Sequence, residues 1–306
     1  MEKLLLKIFK KQIAEKMKKK FMSSSSDVFR KHKAKKAKGV VKSDSSFSRF
    51  SAKYFRRVVS SLSPHQMFVI EKYGFKNLLL FDSGGVPKKF VAWISSKVDL
   101  KTYEIILKDR VIPITVESFR DILGLPFGGL SFGKGYDEGK NFILSKFGIN
   151  SLPSVRYFGD LLIEQKQLSD DEVIISFLIV ALACFICPNS SLYPSVKYLT
   201  IFEDLNLLSS YDWCKFVYDW CMNRIKKFQK SKNLGGCLYY WAVSYLDTVD
   251  FGERNVPIGF PRMSVWKEGM VKRYSDFDKI DDDTFGLRPP RVICSTSNSQ
   301  ILQLDG

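Results

Sequence analysis

Histidine is nearly absent from this chain: there are two in 306 residues, and none follows His65. Gly129-Leu130-Ser131-Phe132-Gly133 has the spacing of a nucleophile elbow, but the hydrolase order needs a histidine after the serine, which excludes that chemistry. Long apolar runs are also missing. The longest, Val173 to Cys187, covers 15 residues and contains Ser176. A membrane-spanning helix needs about 18 or more apolar residues, so this stretch predicts a buried core helix and no membrane span. At the start, MEKLLLKIFKKQ is broken by Lys7 and is too short for a signal-peptide core. The six cysteines, Cys184, Cys187, Cys214, Cys221, Cys237 and Cys294, lie far apart, the usage of reduced thiols in cytosol or nucleus. Cys184 and Cys187 have metal-ligand spacing, but no second knuckle accompanies them, since Cys214 and Cys221 are seven apart and Cys237 stands alone. They are expected to be small core hydrophobes, with no metal.

Acidic residues are scarce in one place. Residues 1–60 hold 19 of the 48 Lys and Arg residues against four acids, a net +15, whereas the other 246 residues carry 29 against 28, a net +1. The chain's +16 therefore belongs to an N-terminal arm, residues 1–55, predicted to be largely disordered. Leu5, Phe9, Ile13, Met17 and Phe21 stand four apart among lysines, which would place an apolar stripe on a basic helix. Ser23 to Ser26 break it. Arg30, Lys31, Lys33, Lys35, Lys36 and Lys38, with His32 among them, then form a run of the kind read by nuclear import receptors and attracted to phosphate backbones. Because lysines on a loose segment cannot hold base edges in register, the expected contact with nucleic acid or chromatin is non-specific.

The rest of the chain, 45% hydrophobic overall, predicts a core. Residues 56–290 read as one mainly α domain with a small β-hairpin, followed by a frayed tail, 291–306. Ser63-Pro64 is an N-cap with proline at the first helical position, and the helix can run to Gly74. A second helix covers Lys88 to Ser96. Tyr103 to Leu107 and Val111 to Ile114 form the hairpin, whose second strand Pro113 confines to an edge. Thr115 caps a helix with Val116, Phe119, Ile122 and Leu123 inward and Gly124 closing it. Ser169 and Glu172 form a capping box before the apolar helix that ends at Pro188. Further helices are expected around Val196 to Leu207, Tyr211 to Gln229 and Leu238 to Leu246.

Four segments recur in that order: LSPHQMFVIEKYGFKNLL from Leu62, ITVESFRDILGLPFGG from Ile114, the tryptophan helix at Tyr211-Asp212-Trp213, and GGCLYYWAVSYLD from Gly235. Together they resemble the plant mobile domain family and related plant transposon-derived domains. The motif residues are Thr115, Gly124, Pro126, Gly128, Gly129, Trp213, Gly236, Cys237 and Asp247. The resemblance implies a nuclear protein derived from a mobile element, linked to silencing or development, without an established active site. The protease that accompanies some such domains needs a histidine this chain lacks.

Remaining chemical motifs fail their context. Gly128 to Lys134 spells a phosphate-loop pattern, but Gly135 replaces the magnesium-binding hydroxyl. Asp281-Asp282-Asp283 lacks the alternating ligands of a calcium loop. Tyr239, Tyr240, Trp241 and Tyr245 share one helix and could stack bases, though core packing is the commoner use. No lysine sits in a pyridoxal context, and no cofactor is expected. The expected function is a non-enzymatic nuclear module whose arm contacts nucleic acid and whose helical domain contacts unidentified proteins. The alternatives are an enzyme with a dispersed site, a degenerate transposon-derived product, and a cytoplasmic location.

Overall fold

The structure, a computed structural model, describes residues 52–133, 136–188 and 191–291. The arm's stripe and basic run, Lys134 and Gly135, and the tail beyond Arg291 lie outside the described residues. Among the described residues the fold is mainly α with one small antiparallel sheet, as the capping signals and periodicities predict.

The first helices follow their caps. Helix α1 (Ala52–Ser60) buries Tyr54, Phe55 and Val58. Ser63 caps α2 (Pro64–Lys72) in a full capping box with Gln66. Past α2, Gly74 takes a φ of 91° and Phe75 N donates to Ile70 O at 3.1 Å, closing the helix. Helix α3 (Lys88–Ser96) has the expected bounds. The hairpin of β2 (Glu104–Ile106) and β3 (Val111–Pro113) gains a strand, β1 (Val98–Asp99), in the order β1-β2-β3. Two residues directly after a helix are too few to show alternation, which hid this strand. Pro113 does sit on an edge strand.

Thr115 accepts from Ser118 N at 3.2 Å and opens α4 (Val116–Leu123). Two helices follow that the sequence did not announce, α5 (Tyr136–Lys146) and α6 (Val155–Ile163). In α5 the cause is Gly139, a helix-weakening residue. A Cβ there would stand 2.4 Å from the Leu199 carbonyl carbon and the Thr200 amide, so glycine is what lets α5 lie against Val196–Phe202. That second segment was expected to be part of one helix. It is instead a 3-10 turn, followed by another over Leu205–Ser210, because Asp204 interrupts and recaps the chain by accepting from Asn206 N at 3.0 Å.

The core sits on two helices buried on every side. In α7 (Asp170–Ala181), capped by Ser169 and Glu172, every residue from Val173 to Ala181 is buried, and a π turn continues it over Leu182–Ile186. In α9 (Leu238–Leu246) all nine residues are buried. Helices α1, α2 and α6 pack around α7 and its π turn; α3, α4 and α10 (Met270–Phe277) pack around α9. Helix α8 (Trp213–Ser231), N-capped by Asp212 through Lys215 N at 2.9 Å, lies along α4.

Phe81 joins the two groups. Its ring centroid is 5.4 Å from Phe55, 4.1 Å from Phe185 and 5.6 Å from Tyr239, so it touches α1, the π turn and α9 together. Removing a fully buried aromatic from such a site costs about 3–5 kcal/mol, combining lost transfer energy with the cavity. Phe81→Ala should therefore lower unfolding stability by that amount in a denaturant titration, with one cooperative transition. A loss below about 1 kcal/mol would show that this joint does not hold the halves together.

Candidate interaction surfaces

The nine motif residues are structural joints. Thr115 is the N-cap of α4, and Gly124 its left-handed end at φ 63°, its N–H donating to Arg120 O at 2.7 Å. Asn77 Nδ2 donates to Gly124 O at 2.7 Å, tying α4 to the turn at Lys76–Leu80. The Pro126 carbonyl accepts from Cys214 N at 3.2 Å. Gly128 and Gly129 carry the chain through positive φ, and a Cβ on Gly129 would lie 2.2 Å from Ser210 O. Leu130 and Tyr211 then pair through Leu130 N to Ser210 O and Asp212 N to Leu130 O, both 2.8 Å. Trp213 is fully buried, donates through Nε1 to Leu208 O at 2.7 Å, and meets Phe75 edge-on at 4.8 Å. Gly236 passes Cys221, and Cys237 N donates to Cys221 Sγ at 3.2 Å. Asp247, at the end of α9, receives a two-pronged contact from Arg262 at 2.7 and 2.8 Å and Trp266 Nε1 at 2.8 Å. The structure brings these residues to the junctions of α4, α8 and α9, where they satisfy backbone and one another.

With that geometry the chain can be placed. It belongs to the family described as a domain of unknown function, DUF8566, whose model matches residues 48–241. No curated protein and no solved structure matches this chain. The family match corrects the plant mobile domain resemblance: nothing in it points to that family or to a transposon origin. The resemblance rested on capped helix starts, left-handed glycines and buried tryptophans, features any helical domain uses to begin, end and anchor its helices. Asp247 lies beyond the matched residues.

The other flagged residues also serve the fold. Tyr239, Tyr240, Trp241 and Tyr245 are all buried, so their rings are not a base-stacking platform. Tyr240 stacks on Phe119 at 3.5 Å, and Tyr245 donates to Asp278 at 2.7 Å. Asp278 also accepts from the Gly286 and Arg288 amides at 3.0 and 2.9 Å, and burial raises its pKa despite these bonds. Arg110, from the hairpin turn, donates to Thr248 O and Arg288 O, so the last described segment is fixed from two sides. In the 281–283 acidic turn, Asp281 accepts from the Asp283 and Thr284 amides, while Asp282 and Asp283 pair with Lys279 and Lys89.

A shallow cleft beside Asp247, Asp250, Arg254, Asn255 and Arg291 holds about 250 Å³ counted out to solvent. That volume includes open solvent, whereas ligand pockets enclose their ligands within mainly apolar linings. Three of its polar groups are engaged already: Asp247 with Arg262 and Trp266, Asp250 with Gly252 N at 2.8 Å, and the Arg254 guanidinium over the Phe277 ring at 4.6 Å.

The five described cysteines are buried, and burial pushes the thiols of Cys184, Cys214 and Cys237 up to about 12. A thiol reacts as its thiolate. These five should resist an aromatic disulfide reagent at pH 8 in the native protein and react together on adding denaturant. Rapid native labelling of more than one thiol, the allowance being for Cys294, would contradict the packing.

Proposed function

We propose that this chain is a non-enzymatic nuclear protein that contacts nucleic acid through the phosphates, with the N-terminal arm supplying the charge and the helical domain a docking body for protein partners. One observation carries the reading: residues 1–60 hold a net +15 and the remaining 246 a net +1. A segment of that charge attracts a polyanion and releases its counterions, whatever the base sequence. The run from Arg30 to Lys38 has the composition that import receptors bind, which supports a nuclear location. Two features of the domain favour a role other than catalysis. Its motif residues are committed to helix ends and junctions, and both carboxylates of the Asp247 cleft are already engaged, Asp247 by Arg262 and Trp266 and Asp250 by the Gly252 amide. The absence of a membrane-length apolar helix among the described residues is compatible with this reading.

The test replaces Arg30, Lys31, Lys33, Lys35, Lys36 and Lys38 with alanine in the full chain. Each phosphate neutralised contributes about −0.9 to the slope of log affinity against log salt on duplex DNA, so the slope should flatten by several units, up to about five. Affinity should fall by a similar factor on unrelated sequences. In cells the same variant, tagged, should shift from nucleus to cytoplasm. An unchanged salt slope, or a preference of a thousandfold for one sequence, would refute the arm as the phosphate contact; undiminished nuclear accumulation would refute its role in import.

A further inference from the structure

The net charge near zero outside the arm conceals an uneven distribution. From Trp220 to Leu246 there is no acidic residue, and Arg224, Lys226, Lys227, Lys230 and Lys232 all fall within that stretch. Ile225 and Phe228 turn into the core, which leaves Asn223, Lys226, Lys227 and Lys230 exposed at the i, i+3, i+4, i+7 spacing of a single helix face. Some lysines elsewhere find carboxylates, as Lys72 does with Asp170, Lys89 with Asp283, Lys146 with Asp171 and Lys272 with Asp276, and others, such as Lys53, Lys76 and Lys140, stand apart from one another in the sequence; what sets this stretch apart is that its lysines share one helix face. Arg224, Lys226, Lys227 and Lys230 of α8, and Lys232 just past its end, have no ion-pair partner among the described residues. Two of them are steadied by rings, Arg224 over Trp220 at 5.3 Å and Lys232 over Phe228 at 5.6 Å. Gln229 Nε2 donates to Val98 O at 2.9 Å, which brings the exposed Lys97 to the end of the same helix. Asp99, next along, accepts from the Lys101 and Thr102 amides of its own turn.

Cations in the last turn of a helix are ordinary, because they complement its terminal carbonyls. That explains Lys230, but the effect fades within one turn and does not account for Lys226 and Lys227. A lipid-surface helix would expose apolar residues beside its lysines. Here the neighbours are Asn223, Gln229 and Ser231, while Ile225 and Phe228 are buried. We propose that this face of α8 is a second phosphate-contact surface, on which Lys226, Lys227 and Lys230 receive the backbone of duplex nucleic acid. The proposal rests on the reading that the chain binds nucleic acid, and adds a rigid contact to the arm's loose one. Lysines held on a helix would fix how the domain lies on the duplex, which a flexible segment cannot do.

The experiment uses the full chain in four forms: unaltered, the six-residue arm variant, the triple variant K226Q/K227Q/K230Q, and the two combined. Each is titrated with fluorescent duplex DNA at several salt concentrations. The triple variant should flatten the salt slope by between two and three units, at about 0.9 per phosphate, with the arm intact. A charge-preserving triple Lys→Arg variant should keep the slope, and it serves as the reference if the Gln form melts early. If the Gln variant leaves the slope unchanged while the arm variant lowers it, the α8 proposal falls and the arm reading stands. If neither lowers it, both fall. A triple Arg variant that loses the slope would overturn the proposal, since charge would not be the cause. So would a Gln variant whose loss appears only with anionic phospholipid vesicles or polyglutamate.

Discussion

The fold depends on a contact between helices that have no polar face to offer water. Helix α7 from Val173 to Ala181 and the whole of α9 are buried, so neither can be a surface element, and each must be wrapped by others. Phe81 is where the two wrapped groups meet. It lies in the extended stretch between the Lys76–Leu80 turn and α3, and its ring reaches Phe55, Phe185 and Tyr239 at once. Because close-packed interiors transmit small changes, this ring, with the direct contact of Phe185 to Tyr239 at 5.7 Å, couples α1 and the π turn to α9. The domain edges are then fixed by specific polar contacts: Arg262 to Asp247 on one side, and Tyr245, Asp278 and Arg110 on the other.

Much of this was legible in the sequence because helix ends obey local chemistry. Ser63, Thr115 and Ser169 each carry a side-chain oxygen that accepts a first-turn amide, and each of those helices begins where its cap stands, whereas the helix expected from Tyr211 starts at Trp213 behind its cap Asp212. What escaped had no local signal. Gly139 makes α5 look like part of a glycine-rich loop, yet it is required by a neighbour, the Val196–Phe202 turn, that is remote in sequence. Helix α10 starts after Gly269 with no side-chain cap. Strand β1 is two residues long. The family assignment went astray for a related reason. Motif residues such as Thr115, Gly124 and Trp213 report how helices start, stop and anchor, and that grammar is shared by unrelated helical domains.

For the site, the sequence showed the arm's charge but hid the α8 cations behind a domain total of +1. A sum over 246 residues cannot reveal that Lys226, Lys227 and Lys230 share one face with no acid beside them in the sequence from Trp220 to Leu246. The aromatic helix was the opposite case. Its rings could in principle stack bases but were expected in the core, and the packing of Tyr240 on Phe119 and of Tyr239 against Phe81 places them there. In the functional account, then, reactive and stacking groups build the domain, and unpaired charge is what remains for a partner.

Photo-crosslinking of the full chain to duplex DNA, followed by mass spectrometry of the attached peptides, tests that account most directly. It predicts crosslinked peptides from the Arg30 to Lys38 run and from Lys226 to Lys232 of α8, lost as salt is raised. Crosslinks concentrated at the cleft around Asp247 and Asp250, or none above a control lacking DNA, would contradict it.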